Sequence, residues 1–327
     1  MTEDDLIATL FAPIAGEGSL GLRDDAALIA PTPGCEIVAT LDTIVAGVHF
    51  FAEDAPGAIA RKALRVNLSD LAAKGARPRG FLLSLSLPKD FWARVDAKGW
   101  LETFTWALGD DSRRFACPLL GGDTVATPGP LTLSITALGE VVAGRMVRRD
   151  GVKPGDALYV TGTIGDGALG LKARRGETPR LTAADEEFLV GRYLTPEPRN
   201  ALRQAMANFA SGGMDVSDGF VGDLSKMLCV SGVTARVDLR AVPLSPAARA
   251  LTAHGPEWFQ RAVTGGDDYE LLASVPPERA AQFEAAAAAA KVMVTRVGAA
   301  REGTGAPTFI GLDGTPMAFA VGSYGHF

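Results

Sequence analysis

Apolar positions along this chain recur with two periods, one helical and one extended, and the two alternate. At helical spacing, Ala60, Ala63, Leu64, Leu68 and Leu71 fall on one face, and Gly75 and Pro78 end the run, so the pattern predicts a helix over 56–71. The same reading predicts helices over 3–15, 91–114, 182–194, 198–209, 222–231, 246–254 and 277–291, and an apparent helix opening near Gly165. Runs rich in β-branched and apolar residues predict strands at 37–41, 80–87, 118–120, 131–142, 157–161, 234–239, 270–275 and 293–297. Strand 37–41 delivers Asp42 at its end, and strand 118–120 runs into Gly121-Gly122-Asp123, read as a turn.

The turn cluster Lys153-Pro154-Gly155-Asp156 divides the pattern, giving two α/β domains, 1–150 and 151–327. A weak internal echo agrees with two halves. Ser69-Asp70 and Ser217-Asp218 lie 148 residues apart, and the Gly-Gly-Asp runs ending at Asp123 and Asp267 lie 144 apart.

Composition narrows the function. Lys plus Arg is 32 against 38 for Asp plus Glu, a net charge of −6 over 327 residues, which argues against non-specific nucleic-acid binding. With 47% hydrophobic and 21% charged residues the chain should fold. Cys35, Cys117 and Cys229 are widely separated and make neither a disulfide framework nor a zinc knuckle. No apolar run approaches membrane length, and the acidic Met1-Thr2-Glu3-Asp4-Asp5 is unlike a basic targeting leader, so a cytoplasmic setting is expected.

Two G-x-G-x-x-G runs, Gly16–Gly21 and Gly165–Gly170, invite a dinucleotide reading. The first follows a helix. The second follows a strand and opens a helix, but no returning parallel strand comes after it, so its glycines are read as turn and close-packing positions that could face phosphate. The stronger signal is carboxylates at strand ends and in Gly-flanked turns: Asp24-Asp25, Asp42, Asp70, Asp123, Asp215, Asp218 and Asp267-Asp268. Each alone is an ordinary turn residue. Several sit in apolar surroundings, where an unpaired carboxylate is costly and few basic residues accompany them, and oxygen-only donors suit Mg²⁺ in a nucleoside triphosphate site. His49 is either a satisfied structural histidine or a phosphate contact, and Arg145, Arg148 and Arg149 are either solvated or a phosphate clamp.

In order along the chain, Asp24-Asp25-Ala26-Ala27, the stretch 42–50, NLSDLAAKGARP from Asn67, GGDT from Gly121, KPGDALYVTG from Lys153, DVSDGF from Asp215 and GGDDYEL from Gly265 resemble the thiamine-monophosphate kinases. That family belongs to the aminoimidazole-ribonucleotide-synthetase-like (PurM-like) superfamily. The resemblance runs from about residue 6 to Tyr324-Gly325-His326-Phe327. It implies a two-domain PurM-like fold: an N-terminal mixed-sheet domain forming a homodimer interface, a C-terminal α/β domain, and an active site in the cleft between them. It further implies in-line phosphorylation of thiamine monophosphate to thiamine diphosphate by ATP, with several Mg²⁺ ions and no covalent enzyme nucleophile. By position, Asp25, Asp42, Asp70, Asp123, Asp215 and Asp218 match metal carboxylates, with Thr40 and the Leu41 backbone completing the set. Gly122, Asp123, Arg149 and Ser217 match nucleotide contacts, and His49, Asp267 and Val321 match the thiamine-phosphate side. The chain departs from the family at Arg23, where Gly is common, at Asp267, where Glu is frequent, at Val321, where an aromatic residue is frequent, and at Gly325, which interrupts an acidic step.

Two alternatives stay open. One is another ATP-dependent enzyme of the superfamily, such as selenophosphate synthetase, although residues 1–34 hold neither the Cys nor the Lys expected of it. The other is a non-catalytic divalent-metal-binding module.

Overall fold

A computed structural model describes residues 3–93 and 96–325. Met1-Thr2 of the acidic N-terminal run, residues 94–95 of the predicted 91–114 helix, and His326-Phe327 lie outside the described residues. The chain forms two compact units, Met1–Leu71 with Ala76–Gly144, and Ala72–Gly75 with Arg145–Phe327.

In the first unit, β1 (Cys35–Val45), β2 (Arg77–Pro88), β3 (Leu119–Thr127) and β4 (Thr132–Val142) form a mixed sheet in the order β1-β4-β2-β3. β4 is antiparallel to both neighbours, and β2 and β3 are parallel. Two 18-residue helices, α2 (Pro56–Ala73) and α3 (Ala97–Arg114), bury Ile59, Ala63, Leu64 and Leu68, and Leu101, Phe104 and Leu108, in a core shared with Leu83, Leu85, Leu133 and Ile135. The predicted 56–71 face, from Ala60 to Leu71, is buried at every position. The predicted 3–15 helix is three short pieces, α1 (Glu3–Leu6), a π-helical turn Ile7–Phe11 and a 3₁₀ turn Ala12–Ile14. The predicted 91–114 helix begins with a separate 3₁₀ turn, Phe91–Ala93.

In the second unit, β5 (Ala157–Thr161), β6 (Gly212–Val216), β7 (Thr234–Asp238), β8 (Glu270–Val275), β9 (Val294–Arg301), β10 (Thr308–Ile310) and β11 (Pro316–Met317) form one sheet in the order β11-β10-β7-β9-β5-β8-β6. β5 is antiparallel to both β8 and β9. Its alternate residues enter different cores, Leu158 and Val160 with α7 (Phe220–Val230), Ala157 and Tyr159 with α6 (Arg203–Phe209) and α10 (Ala280–Ala289). Burial on both faces explains why β5 and β8 read as continuous apolar runs. A further core joins α4 (Asp166–Arg174), α5 (Ala183–Leu194), α8 (Pro246–Thr252) and α9 (Pro256–Thr264).

Two expectations are corrected, and two further elements are added. Gly121-Gly122-Asp123 is not a turn: it continues β3 in parallel register with Leu82-Leu83-Ser84. Gly212–Val216 is a strand that its paired glycines concealed, and α9 was hidden by its Gly255-Pro256 entry. The echoed motifs fall on unlike elements. Ser69-Asp70 lies in α2 and Ser217-Asp218 in the β6–α7 loop; Gly121–Asp123 lies in β3 and Gly265–Asp267 in the loop before β8. The echo therefore does not map equivalent positions.

Candidate active site

In the first unit, β1 and α2 bring three of the predicted metal-site residues together. Residues alternate in facing along a strand, so Thr40 and Asp42 share the face covered by α2, with Val38 and Ile44 buried beside them. Asn67 and Asp70, three apart on α2, lie on the face turned toward them. Thr40 Oγ1 donates to Asp70 Oδ2, and the Asp42 amide donates to Asn67 Oδ1 at 3.1 Å. Asn67 is fixed in turn by its Nδ2, which donates to Ala63 O at 3.0 Å. Asn67 is a positioning residue the sequence reading passed over, although it stands three before Asp70 on a helix. Leu41 turns its side chain to the opposite face, 60% exposed, so its backbone carbonyl is the one oxygen it can offer.

Asp25, Gly122 and Asp123 line a common cavity of about 1040 Å³ with Arg23, Asp24 and Thr124, closed on its apolar side by Phe11, Leu82 and Leu119. The N-terminal segment reaches it through Leu20, Gly21 and Leu22, at φ 53°, 70° and 55°; a left-handed non-glycine residue costs roughly 1–2 kcal/mol. Gly122 has a steric reason for its identity, since a Cβ there would stand 2.0 Å from Leu83 O. The Asp25 and Asp123 carboxylates are exposed and have no basic partner among the described residues.

His49 lies in the tight turn after β1. Its Nδ1 accepts from the Val45 amide at 3.1 Å and its carbonyl accepts from the buried Lys62 Nζ at 2.9 Å, so the backbone and one ring nitrogen hold the turn.

In the second unit, Ser217, Asp218 and Asp267 are neighbours. The Asp267 amide donates to Ser217 O at 2.9 Å and the Tyr269 amide to Val216 O at 2.8 Å, seating the loop before β8 against the end of β6. Asp215 is buried in β6, 6% exposed. Asp218 Oδ2 accepts from Lys226 Nζ at 2.6 Å, and its own amide and that of Gly219 donate to Asp223 Oδ2 at 2.8 and 3.1 Å. Asp223 and Lys226, absent from the sequence reading, thus fix this loop; their signal was an acid and a base within the first two turns of an otherwise apolar helix. Burial pushes the Asp223 carboxyl above its ordinary value, with Lys226 and the Asp218 amide opposing. The Tyr324 amide donates to Asp218 O at 2.9 Å, which brings the C-terminal tail to this loop, although Val321 itself is 67% exposed.

Arg149 is exposed on a 3₁₀ turn. Its carbonyl accepts from Ser231 Oγ at 3.1 Å and its guanidinium has no carboxylate partner among the described residues, whereas Arg148 is held by Asp150 at 2.8 and 2.6 Å. The expectation that few basic residues accompany these carboxylates fails at Asp218, which Lys226 holds, and buried carboxylates outside the predicted set are paired as well. Asp111 receives Arg61 and Arg65, Glu140 receives Arg77, and Glu270 receives Arg192 and Arg199. Among the described residues no group of three or more His, Cys, Asp or Glu is gathered closely enough to hold a metal, and no helix is long and apolar enough to cross a membrane.

The second glycine-rich run resolves plainly. The Gly165 and Gly167 amides donate to Asp268 Oδ2 and Oδ1 at 2.7 and 3.0 Å, so the start of α4 binds the chain's own carboxylate. Asp268 is 1% exposed, and burial, then the neighbouring Asp166 charge, push its carboxyl well above the ordinary range against the pull of the two amides.

Residues 23–141 match the family model for AIR synthase related protein, N-terminal domain, and residues 153–308 that for AIR synthase related protein, C-terminal domain. The chain is 46% identical over 321 residues to the thiamine-monophosphate kinase of Caulobacter vibrioides, across 96% of this chain and 89% of that protein. The crystal structure of thiamine-monophosphate kinase from Stenotrophomonas maltophilia K279a is similar with a TM-score of 0.80 and 37% identity, over 91% of this chain and 92% of that one. AaThiL, solved in complex with AMPPCP and TMP, is similar with a TM-score of 0.78 and 28% identity, over 99% and 94%.

Proposed function

We propose an activity from one premise: the chain belongs to the thiamine-monophosphate kinase family of the AIR synthase related proteins, and it transfers the γ-phosphoryl group of ATP to thiamine monophosphate, giving thiamine diphosphate and ADP. The observation that carries the reading is the similarity, over nearly the whole chain, to a protein solved with AMPPCP and TMP.

The chemistry asks little covalent work of the protein. The acceptor is a phosphate oxygen already ionised at neutral pH, so it attacks the γ-phosphorus without a general base. The new P–O bond forms as the bond to the ADP β-phosphate oxygen breaks. What the protein must supply is alignment and relief of repulsion between two polyanions. The donor chemistry fits Mg²⁺, which takes oxygen ligands: Thr40 and Asp70 in direct contact, with Asp42 on the same strand face as Thr40, Asp25 and Asp123 on one cavity without basic partners among the described residues, and the buried Asp215 close in sequence to Asp218. When bound, the ions neutralise phosphate charge. In this reading Asp25, Thr40, the Leu41 carbonyl, Asp42, Asp70, Asp123, Asp215 and Asp218 hold Mg²⁺; Gly122, Asp123, Arg149 and Ser217 hold ATP; and His49, Asp267 and Val321 serve the thiamine phosphate.

Residues 1–150 carry most of the metal and ATP ligands and the dimer interface, with Asp215, Ser217 and Asp218 contributed from residues 151–327. The outer face of the first sheet supports a homodimer: the strand register places Ile37, Leu41, Val125 and Val142 on one face, 39%, 60%, 44% and 62% exposed.

The test is metal-dependent turnover. ADP release with thiamine monophosphate should stop on chelation, return with Mg²⁺, and be lost in Asp42→Ala and Asp123→Ala variants that still fold. Full activity in both variants would remove the metal-site assignment.

A further inference from the structure

The glycine-rich start of α4 faces inward and is occupied by the chain itself, and it lies beside a loop that carries a substrate residue in the reading above. We propose that Asp268 is a positioning residue: its carboxylate, latched to the Gly165 and Gly167 amides, holds the Gly265–Tyr269 loop in the one conformation that presents Asp267 to the thiamine-phosphate substrate. The inference rests on the assignment of Asp267 to that substrate.

Three sets of contacts define the latch. Asp267 and Tyr269, on either side of Asp268, both adopt left-handed backbone conformations, φ 71° and 53°, which Asp tolerates but a bulky residue such as Tyr does not favour. Their amides are tied on one side to Ser217 O and Val216 O at 2.9 and 2.8 Å. The Asp268 side chain ties the other side, with each of its oxygens accepting one amide, Oδ2 from Gly165 at 2.7 Å and Oδ1 from Gly167 at 3.0 Å. The seat is also steric. A Cβ at Gly167 would stand 2.2 Å from the Asp267 carbonyl oxygen, so only glycine lets the loop approach. An unfavourable backbone persists when its surroundings over-determine it, and the contacts from two sides do so here.

Asp268→Asn keeps the shape and removes one acceptor, because its amide nitrogen would face a backbone N–H and can accept no hydrogen bond. Two readouts on the full-length protein test the latch: hydrogen exchange at the amides of residues 265–269, and the separate KM values for thiamine monophosphate and ATP. The expected result is faster exchange confined to that loop and a KM for thiamine monophosphate raised about tenfold to a hundredfold, with the KM for ATP within about twofold. A role only in stability would instead lower the active fraction, and hence kcat, with both KM values unmoved. Gly167→Ala, which pushes on the Asp267 carbonyl from the other side, should give the same split and serves if Asp268→Asn does not fold. Unchanged exchange in the variant overturns the latch. Faster exchange with an unchanged KM, while Asp267→Asn raises that KM, overturns the positioning role. If Asp267→Asn also leaves the KM for thiamine monophosphate unchanged, the substrate assignment of Asp267 is what has failed, and the inference falls with it.

Discussion

Glu270→Gln is the sharpest probe of what holds the second unit's loops in place. Glu270 opens β8, immediately after the Gly265–Tyr269 loop, and its side chain is fully buried. Its oxygens accept from Arg192 Nη2 at 2.9 Å, Arg199 Nε at 2.6 Å, Arg199 Nη2, and Thr161 Oγ1 at 2.6 Å. The two arginine side chains are only 14% and 21% exposed. Burial alone would lower the Arg199 pKa, and the Glu270 hydrogen bond and charge outweigh it, leaving the value above its ordinary one. Gln keeps the shape but removes the charge that two desolvated guanidinium groups share. Breaking a buried ion pair from one side costs about 3–5 kcal/mol, and for a unit of this size each kcal/mol moves the midpoint by about 2–4 °C, so a drop of roughly 6–20 °C is expected. Thermal unfolding followed by circular dichroism measures it. A drop below about 2 °C would refute the reasoning, because the arginines would then be solvated well enough not to need the carboxylate.

Three further outcomes follow from the first unit. Gly122→Ala places a Cβ 2.0 Å from Leu83 O, so β3 must shift; urea denaturation should show a loss of about 1–3 kcal/mol, and an unchanged stability would contradict the close approach. Burial would raise the Glu140 carboxyl, but Arg77 and Thr32 hold it below its ordinary 4.5. Because the folded value is the lower one, its stabilisation is complete above about pH 4.5 and is lost as pH falls through the folded value. Glu140→Gln should therefore flatten the acid limb of the Tm–pH curve, and an unaltered limb would count against the pairing. Leu41→Arg puts a charge on the exposed sheet face and should convert the proposed dimer to monomer in analytical ultracentrifugation; an unchanged mass would place any interface elsewhere.

How far the sequence could be read depended on whether a residue's neighbours in the chain were also its neighbours in space. The α2 face was legible because an 18-residue amphipathic helix carries its own period. β5 and β8 were legible from dense apolar runs, although periodicity did not reveal that each feeds two cores. β6 was not, because Gly212-Gly213 lacks β-branched residues, and those glycines are set by close packing rather than by strand propensity. The same cause misread Gly121–Asp123 as a turn. At the site, Asp42 and Asp70 were visible as carboxylates, but Asn67 was seen only when β1 and α2 were folded together. Asp268 stood beside Asp267 in the sequence, yet its partners lie about 100 residues earlier at Gly165 and Gly167. Long-range latches of this kind leave no local period to read.

The central claim is that a phosphate, and not a hydroxyl, is the acceptor of the transferred group. The direct measurement is product formation from ATP and Mg²⁺ with thiamine monophosphate or with thiamine, followed by ³¹P NMR. The account predicts stoichiometric ADP and thiamine diphosphate from thiamine monophosphate, with no phosphorylated product from thiamine. Turnover of thiamine, or of another phosphorylated small molecule in preference to thiamine monophosphate, would contradict it.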